Sequence, residues 1–544
     1  MERHLATVWE SVADVVGDDV VVVQGDVRRT WTEFDDRAAR LGSALLHAGL
    51  EAGSKVAQYL YNSPEYLESY AAALKIRAVP VNVNYRYLDE ELLYLLDNSD
   101  AEALVFHSSL GERVANVALR ATKLRILIEV DDRRDDDRSA AVADAVPYED
   151  AIGAHSPVAR ITRDPSDITM IYTGGTTGMP KGVMGPIGPG LDVLMATTPA
   201  IVGRAPLSDP ADIAVLAREL SVDGRQVVAL PACPLMHGTG LTIGSLPALT
   251  FGGRIVLLQT RGLDVDELWS TVESEAVQVV TVVGDAFSRP LLRALREGPT
   301  RDLSSMHMIC SAGAMFSAEV KTGLLEYMPQ AMIVDFIAAT EGAMGVSIST
   351  KDAPSPTGRF LPNPGVKVLT EDHREVLPGS GMTGVVAIPG GVQDGYYKDA
   401  AKTASTFPVI DGVRYSIPGD WATVEADGMI TLLGRGSQCI NTGGEKVYPE
   451  EVEEVLKTHE AVEDCLVFGL PDERFGQKVV AVASLTGAGN ATEAPTVETI
   501  IDSGRDRLAT YKLPRALVLV DEVPRAPNGK ADYKRARLLF ENGM

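Results

Sequence analysis

Cysteine, aromatic residues, positive charge and long apolar runs are all in short supply in this sequence. Four cysteines occur in 544 residues, at 233, 310, 439 and 465, and none form a CxxC pair. Zinc-knuckle and dithiol redox motifs are therefore excluded, and the usage suits a reducing compartment. No run of about 18 uncharged apolar residues occurs, and residues 1–15 lack a basic segment leading into an apolar one. Neither a signal peptide nor stable membrane insertion is expected, so the chain is expected in the cytoplasm. Lys and Arg number 50 against 75 Asp and Glu, giving a formal net charge of −25. That balance disfavours non-specific binding to nucleic acid or to anionic membranes. Aromatic residues make up only 6%.

What remains is the composition of a folded enzyme, 45% apolar and 23% charged, which does not favour disorder. The length exceeds what one hydrophobic core usually supports, so at least two domains are expected. The densest acidic run, Asp131 to Asp137, is interrupted by Arg133 and Arg134 and suits a solvated loop. No internal repeat stands out.

The first third alternates apolar β runs with helical patterns. A hairpin is expected over 20–24 and 28–30, then a helix with Phe34, Leu41, Leu45 and Leu50 on one face. Strands at 55–60, 79–83, 103–106 and 126–130 alternate with helices at 64–76 and 90–97. Repeated β-α-β predicts a parallel, doubly wound sheet. The pattern returns between about 227 and 348, with strands near 255–258, 279–283, 308–310 and 332–336. From 365 to 433 the pieces shorten and Gly and Pro multiply, which suits a small β-barrel. Pro449, followed by Glu450, Glu451, Glu453 and Glu454, opens a helix with Val452, Val455 and Leu456 on its apolar face; Pro and acids both suit a first turn. Strands at 465–469, 479–484 and 517–521 and a helix at 497–510 complete a compact tail. The expected architecture is α/β: a large N-terminal domain of two doubly wound subdomains plus a small β-barrel (1–434), a hinge (435–440), and a small mobile α+β C-terminal domain (441–544). Residues 190–230 either shape a pocket or lie on the surface.

Chemistry concentrates first at Thr173-Gly174-Gly175-Thr176-Thr177-Gly178-Met179-Pro180-Lys181-Gly182, after the β run 168–172. Four glycines and three threonines give a loop whose N–H and hydroxyl groups can wrap a phosphate chain, with Lys181 as a point charge. A plain flexible turn is the bland alternative. A Walker loop is excluded, because Pro precedes the Lys and Gly follows it.

This run resembles the phosphate loop of the adenylate-forming superfamily: acyl-CoA synthetases, peptide-synthetase adenylation domains and luciferases. Further segments similar to that family follow in its order over nearly the whole chain. Ala339-Thr340-Glu341 resembles Tyr-Gly-x-Thr-Glu, whose Thr meets phosphate and whose Glu holds Mg²⁺, with Thr177 as a second candidate near the metal. A hard cation bridging phosphate oxygens needs one or two carboxylates. Ile337 and Ala338 replace the family's Tyr and Gly, so the aromatic platform for adenine is absent there and Phe336 is the neighbouring substitute. Asp420, in Tyr415-Ser416-Ile417-Pro418-Gly419-Asp420, matches the ribose-binding Asp, a carboxylate being the natural acceptor for a vicinal diol. Arg435 matches the ribose- or phosphate-contacting Arg. Ser437-Gln438 stands where relatives carry Lys-Asp, making Gln438 the hinge candidate.

Gly443, Gly444 and Glu445 match the loop lining the path of coenzyme A, where glycine permits close approach of a narrow chain. Lys530, in Pro527-Asn528-Gly529-Lys530, matches the catalytic lysine that bridges the substrate carboxylate and the α-phosphate. His237, in Pro234-Leu235-Met236-His237-Gly238, matches the Pro-Leu-x-His at the edge of the acyl pocket, although a lone His is often structural. Gly313 and Ala314 resemble the stretch running from that pocket to adenine, and Gly238, Ala338 and Ala339 complete the expected acyl lining.

The resemblance implies an ATP-dependent ligase that activates a small-molecule carboxylic acid as acyl-AMP and passes it to coenzyme A, with Mg²⁺. Loading of a free-standing carrier protein, and a catalytically dead nucleotide-binding protein, are the alternatives weighed; keeping Lys181, Glu341, Asp420, Arg435 and Lys530 together argues against the second. Stretches such as Val81-Asn82-Val83-Asn84-Tyr85-Arg86-Tyr87 and Gly395-Tyr396-Tyr397-Lys398-Asp399 resemble actinobacterial synthetases of steroid side-chain and polycyclic terpenoid acids. Small residues at 313, 314, 338 and 339 with Met236 and Met315 suit a bulky apolar body, and equally a long fatty chain. The oligomeric state is open, a homodimer included.

Overall fold

The computed structural model describes residues 1–132, 142–173, 179–390, 392–435, 438, 440–442, 445–472, 476–486, 495–505, 507–508, 510–526 and 529–543. Among them, three sheets organise the chain. The first takes Val79–Asn82, Lys55–Tyr59, Ala101–His107, Ile126–Val130 and Ala145–Pro147 as parallel neighbours in that order, with Ile168–Thr173 parallel to Val79–Asn82 on the other side. Lys181–Pro186 and Gly395–Tyr396 then add antiparallel strands. The second sheet places Val20–Gln24, Arg254–Leu257, Val228–Pro231, Val279–Val282, Met308–Ala312 and Met332–Ala339 side by side in parallel. Both agree with the doubly wound expectation, down to the antiparallel Val20–Gln24/Val27–Thr30 hairpin.

Beyond Met332–Ala339 the second sheet turns antiparallel and runs on through Gly342–Ser349, Arg359–Pro362, Ile430–Arg435, Asp420–Val424 and Thr383–Pro389. The short β pieces expected as a barrel are thus joined by hydrogen bonds to the large sheet. Ile337, Met344, Phe360, Val386 and Ile430 fill their core.

The helix Pro64–Lys75 shows how the large sheets are joined. Ser63 caps it by accepting from Tyr66 N, and Pro64 sits in its first turn. Nearly every residue of it is buried, the pattern of a helix packed on all sides. Its two buried charges are paired: Glu68 accepts from Arg37 Nε at 2.8 Å and Tyr148 Oη at 2.8 Å, and Lys75 donates to Glu10 at 2.9 Å and Asp35 at 2.6 Å. Burying such charges unpaired costs far more than pairing them.

The small C-terminal sheet pairs Val462–Asp472 with Gly476–Leu485, flanked by Ile440–Thr442 and, in parallel, by Ala516–Leu519. The helix expected over 497–510 covers only Val497–Asp502, ending where Ser503-Gly504 lets the chain turn. A closing helix, Tyr533–Gly543, packs Ala536 and Phe540 on this sheet. Within 190–230, Ala211–Val222 packs on the first helix, Leu5–Val16.

Candidate active site

The glycine-rich run joins two antiparallel strands, Ile168–Thr173 and Lys181–Pro186, with Thr173 opposite Lys181. Gly174, Gly175, Thr176, Thr177 and Gly178 lie outside the described residues. Gly182 is required by the pairing: a Cβ there would stand 2.7 Å from Met170 Sδ and 2.8 Å from the Tyr172 ring. Lys181 Nζ lies 2.5 Å from Asp399 Oδ2, while Asp399 Oδ1 caps the helix Ala400–Thr406 by accepting from Lys402 N at 2.8 Å. Lys181 holds the Asp399 carboxyl below its ordinary range.

Thr340 and Glu341 form the two-residue turn between Met332–Ala339 and Gly342–Ser349, so the expected loop after a strand is a tight hairpin tip. Ala338 and Ala339 are half-buried just before it, where a bulge shifts the register. Glu341 is buried, and Tyr396 Oη donates to its Oε1. Gln393 Nε2 donates to Thr340 O at 3.0 Å. A single stretch, 393–399, therefore holds the hairpin tip, the Glu341 carboxylate and Lys181 together. Asp335, on the same strand and 3% exposed, has its carboxyl pushed up to about 7 by burial, against the opposing charge of Lys321 and a bond from Ser311.

Asp420 opens the strand Asp420–Val424, is buried, and stands opposite Arg435 in the ladder. Gly434, at φ +105°, leaves space that the Glu450 carboxylate of the small domain enters. Gln438 is half-buried between the domains' strands; Gly443 and Gly444 lie outside the described residues, and Glu445 begins the strand Glu445–Val447.

Lys530 reaches this site from the small domain. Pro527 and Asn528 lie outside the described residues; on either side of them Ala526 N donates to Lys530 O at 2.8 Å and Arg525 Nη1 to Gly529 O at 3.0 Å. Arg525 is fixed in turn by Asp464, at 2.5 and 2.7 Å. Gly529 abuts Val283 and Ala286, where a Cβ would meet carbons at 3.0 and 3.2 Å. A Cβ on Gly313, at φ +93°, would have Lys530 Cε at 3.6 Å and Thr239 Oγ1 at 3.7 Å. His237 belongs to the same corner. Burial, then the Lys530 charge, lowers its pKa to about 4, and its Nε2 is buried without a hydrogen-bond partner among the described residues. Gly238 follows it half-buried, and Ala314 is half-buried beyond Gly313. A cleft of about 520 Å³ opens beside them, bounded by Tyr61, Tyr85, Pro234, Arg261, Phe287 and Gly529.

The sequence reading missed Tyr396, Asp399, Asn82, Asn62, Thr239 and Asp335. Asn82, Tyr396 and Asp399 enter the sequence reading only through the subgroup resemblance. Among the described residues no three His, Cys, Asp or Glu side chains converge as a metal cage, and no helix is long and apolar enough to cross a membrane.

Two strands joined by a Gly- and Thr-rich run, a buried carboxylate braced by the same 393–399 stretch as Lys181, and a lysine delivered by a second domain define an α/β enzyme suited to a phosphate chain. Residues 9–397 match the AMP-binding enzyme family and residues 451–530 match the AMP-binding enzyme C-terminal domain. A 3-oxocholest-4-en-26-oate–CoA ligase of Rhodococcus rhodochrous is 39% identical over 99% of this chain and 96% of its own. A medium/long-chain-fatty-acid–CoA/3-oxocholest-4-en-26-oate–CoA ligase of Mycobacterium tuberculosis is 40% identical over 98% and 95%. Among solved structures, an anthranilate CoA ligase in complex with anthranoyl-AMP superposes with a TM-score of 0.81 at 21% identity, covering 99% of this chain and 98% of that one. The chain belongs to the AMP-binding enzyme family, as an AMP-forming acid–thiol ligase that uses ATP and coenzyme A.

Proposed function

We propose that this ligase activates a bulky polycyclic carboxylic acid, of the steroid side-chain type, and transfers it to coenzyme A by alternation of its small domain. The observation that carries the reading is the position of Lys530, beside Gly313 and close enough to His237 to shift its pKa. In the first half-reaction a carboxylate oxygen bonds to the α-phosphorus as the bond to the β-phosphate oxygen breaks, and pyrophosphate leaves. The Lys530 ammonium lies where the carboxylate and α-phosphate meet and stabilises the charge that moves between them. Thr173 and Lys181 flank the β- and γ-phosphates, Thr340 meets the α-phosphate, and Asp420 with Arg435 takes the ribose.

Glu341, a carboxylate buried and held by Tyr396, would hold a divalent cation beside the phosphates. Mg²⁺ bound there supplies charge neutralisation on the phosphates. The small domain then turns about Gln438, withdrawing Lys530 and bringing 443–445 to the site. The thiolate sulfur attacks the acyl carbon, and AMP departs with the bonding pair.

The two relatives act on 3-oxocholest-4-en-26-oate, which supports the polycyclic acid. Small residues at 313, 338 and 339 leave room for it. One measurement tests the proposal: kcat/KM for 3-oxocholest-4-en-26-oate against palmitate, benzoate and acetate, by pyrophosphate release with and without coenzyme A. The sterol acid is expected to lead. Palmitate leading would make this a long-chain fatty acyl ligase, the second reading, which the Mycobacterium tuberculosis relative's double name supports. Turnover indifferent to coenzyme A would point to a carrier-protein acceptor.

A further inference from the structure

We infer that Asn82 is a positioning residue that couples the phosphate loop to the His237 segment, so that binding of ATP orders the acyl side of the site. Asn82 ends the strand Val79–Asn82 and is buried. Its Nδ2 donates to Tyr172 O at 3.0 Å and to Met236 O at 2.6 Å, while its Oδ1 accepts from Tyr172 N at 2.6 Å. Tyr172 directly precedes Thr173, where the glycine-rich run begins, and Met236 directly precedes His237. Both amide hydrogens of one side chain are thus spent on a strand and a turn that the chain separates by 90 and 154 residues from Asn82. The amide acts as one further rung of the ladder, binding both main-chain groups of Tyr172 as a neighbouring strand would.

Asn62 supplies the contrast. Its Nδ2 donates to Cys233 O at 3.1 Å and its Oδ1 accepts from Leu235 N at 2.7 Å. It pins the same 233–237 segment to the end of the strand Lys55–Tyr59, yet its side chain bonds nothing on the phosphate-loop strand among the described residues. Two asparagines of like chemistry therefore hold one segment, and only Asn82 also holds Tyr172. Any shift of Tyr172 on binding of ATP passes through a single amide to Met236 and His237. Any such coupling is reciprocal, so an acid seated at His237 favours ATP binding equally.

The inference rests on ATP binding at the glycine-rich loop, and its test separates the two. The probe is α,β-methylene-ATP, whose α–β bridge cannot be cleaved, with amide hydrogen exchange read on a peptide spanning 233–241. Wild type is expected to exchange at least threefold more slowly there once the analogue is bound. Asn82→Ala should bind the analogue and show no slowing. Asn62→Ala should exchange faster at baseline and keep the threefold ratio. A merely structural role for Asn82 would raise the baseline and leave the ratio, and that result overturns the inference, as does no slowing in wild type with the analogue bound. If Asn82→Ala does not fold, Asn82→Ser carries the same comparison. Failure of the analogue to bind wild type would overturn the ATP reading itself, and the inference with it.

Discussion

Lys530 Cε stands 3.6 Å from the place a Cβ would occupy on Gly313, which joins the last loop of the small domain to the end of a central strand of the large one. Under the proposed alternation the lysine serves only this domain position, so Lys530→Ala should cut acyl-AMP formation by about 10²- to 10³-fold, the cost of losing one preorganised charge-stabilising donor. Thioester formation from supplied acyl-AMP should remain largely intact. Gly313→Val tests the other partner: its φ of +93° strains any L side chain, at about 1–2 kcal/mol, and the new methyls crowd Lys530. Adenylation should fall with a modest drop in melting temperature. Equal loss of both half-reactions in Lys530→Ala would contradict the alternation.

Asp399 engages Lys181, and under the proposed function ATP displaces that carboxylate. The Lys181–Asp399 pair is partly exposed on both sides, at 39% and 29%, so it contributes little to stability. Asp399→Asn keeps an oxygen to cap the helix Ala400–Thr406 and removes the competing charge. The KM for ATP is expected to fall about two- to fivefold, the range spanned by exposed ion pairs. A rise in KM on steady-state assay would mean that Asp399 orients Lys181 toward the phosphates.

Local patterns carried the architecture and left the site's cross-braces unread. Alternating β and α periods predicted both parallel sheets because the strands are short apolar runs and helices such as Trp31–His47 bury one stripe. The helix Ile187–Thr197 escaped notice because Gly188, Pro189 and Gly190 crowd its first turn, where Pro is tolerated although propensity argues against a helix. Motif resemblance, rather than periodicity, located Lys530, Glu341 and Asp420. The partners that hold them were invisible: Glu341 and Tyr396 are 55 residues apart, and Lys181 and Asp399 are 218 apart. Such pairs follow from the packing of strands whose order no local pattern encodes. Asp335 carried a signal that went unused, a lone carboxylate inside the apolar run Met332–Ala339.

That buried carboxylate makes stability depend on pH. Asp335 in the folded chain titrates near 7, whereas an unfolded Asp titrates near its ordinary value of about 3.9. Between those values the native state holds a proton that the unfolded chain has lost. Its contribution is therefore fully present below about pH 4 and is lost as pH rises through 7. Each pH unit in that window is worth up to about 1.4 kcal/mol. Asp335→Asn should flatten the slope, so denaturant midpoints of wild type and variant should diverge from pH 5 to pH 8, with wild type falling faster. Parallel curves would refute the buried protonation.

His237 gives the opposite sign. Burial chiefly, and the Lys530 charge secondarily, hold its folded pKa at about 4, below the unfolded value of about 6.5. Its contribution to stability is thus present above 6.5 and is lost as pH falls toward 4. The imidazole is neutral throughout the neutral range, so it can donate or accept one hydrogen bond to the acid but brings no positive charge to it. His237→Gln should accordingly lower kcat/KM for the acid without altering the shape of the pH–rate profile above pH 5. Removing the neighbouring charge is the sharper check. In Lys530→Ala the His237 resonances, followed by NMR, should titrate at a higher pH than in wild type. The value should still stay below 6.5, because the larger cause, burial, is untouched. An unchanged pKa would mean that Lys530 does not rest beside His237 in solution, and that the small domain spends its time elsewhere.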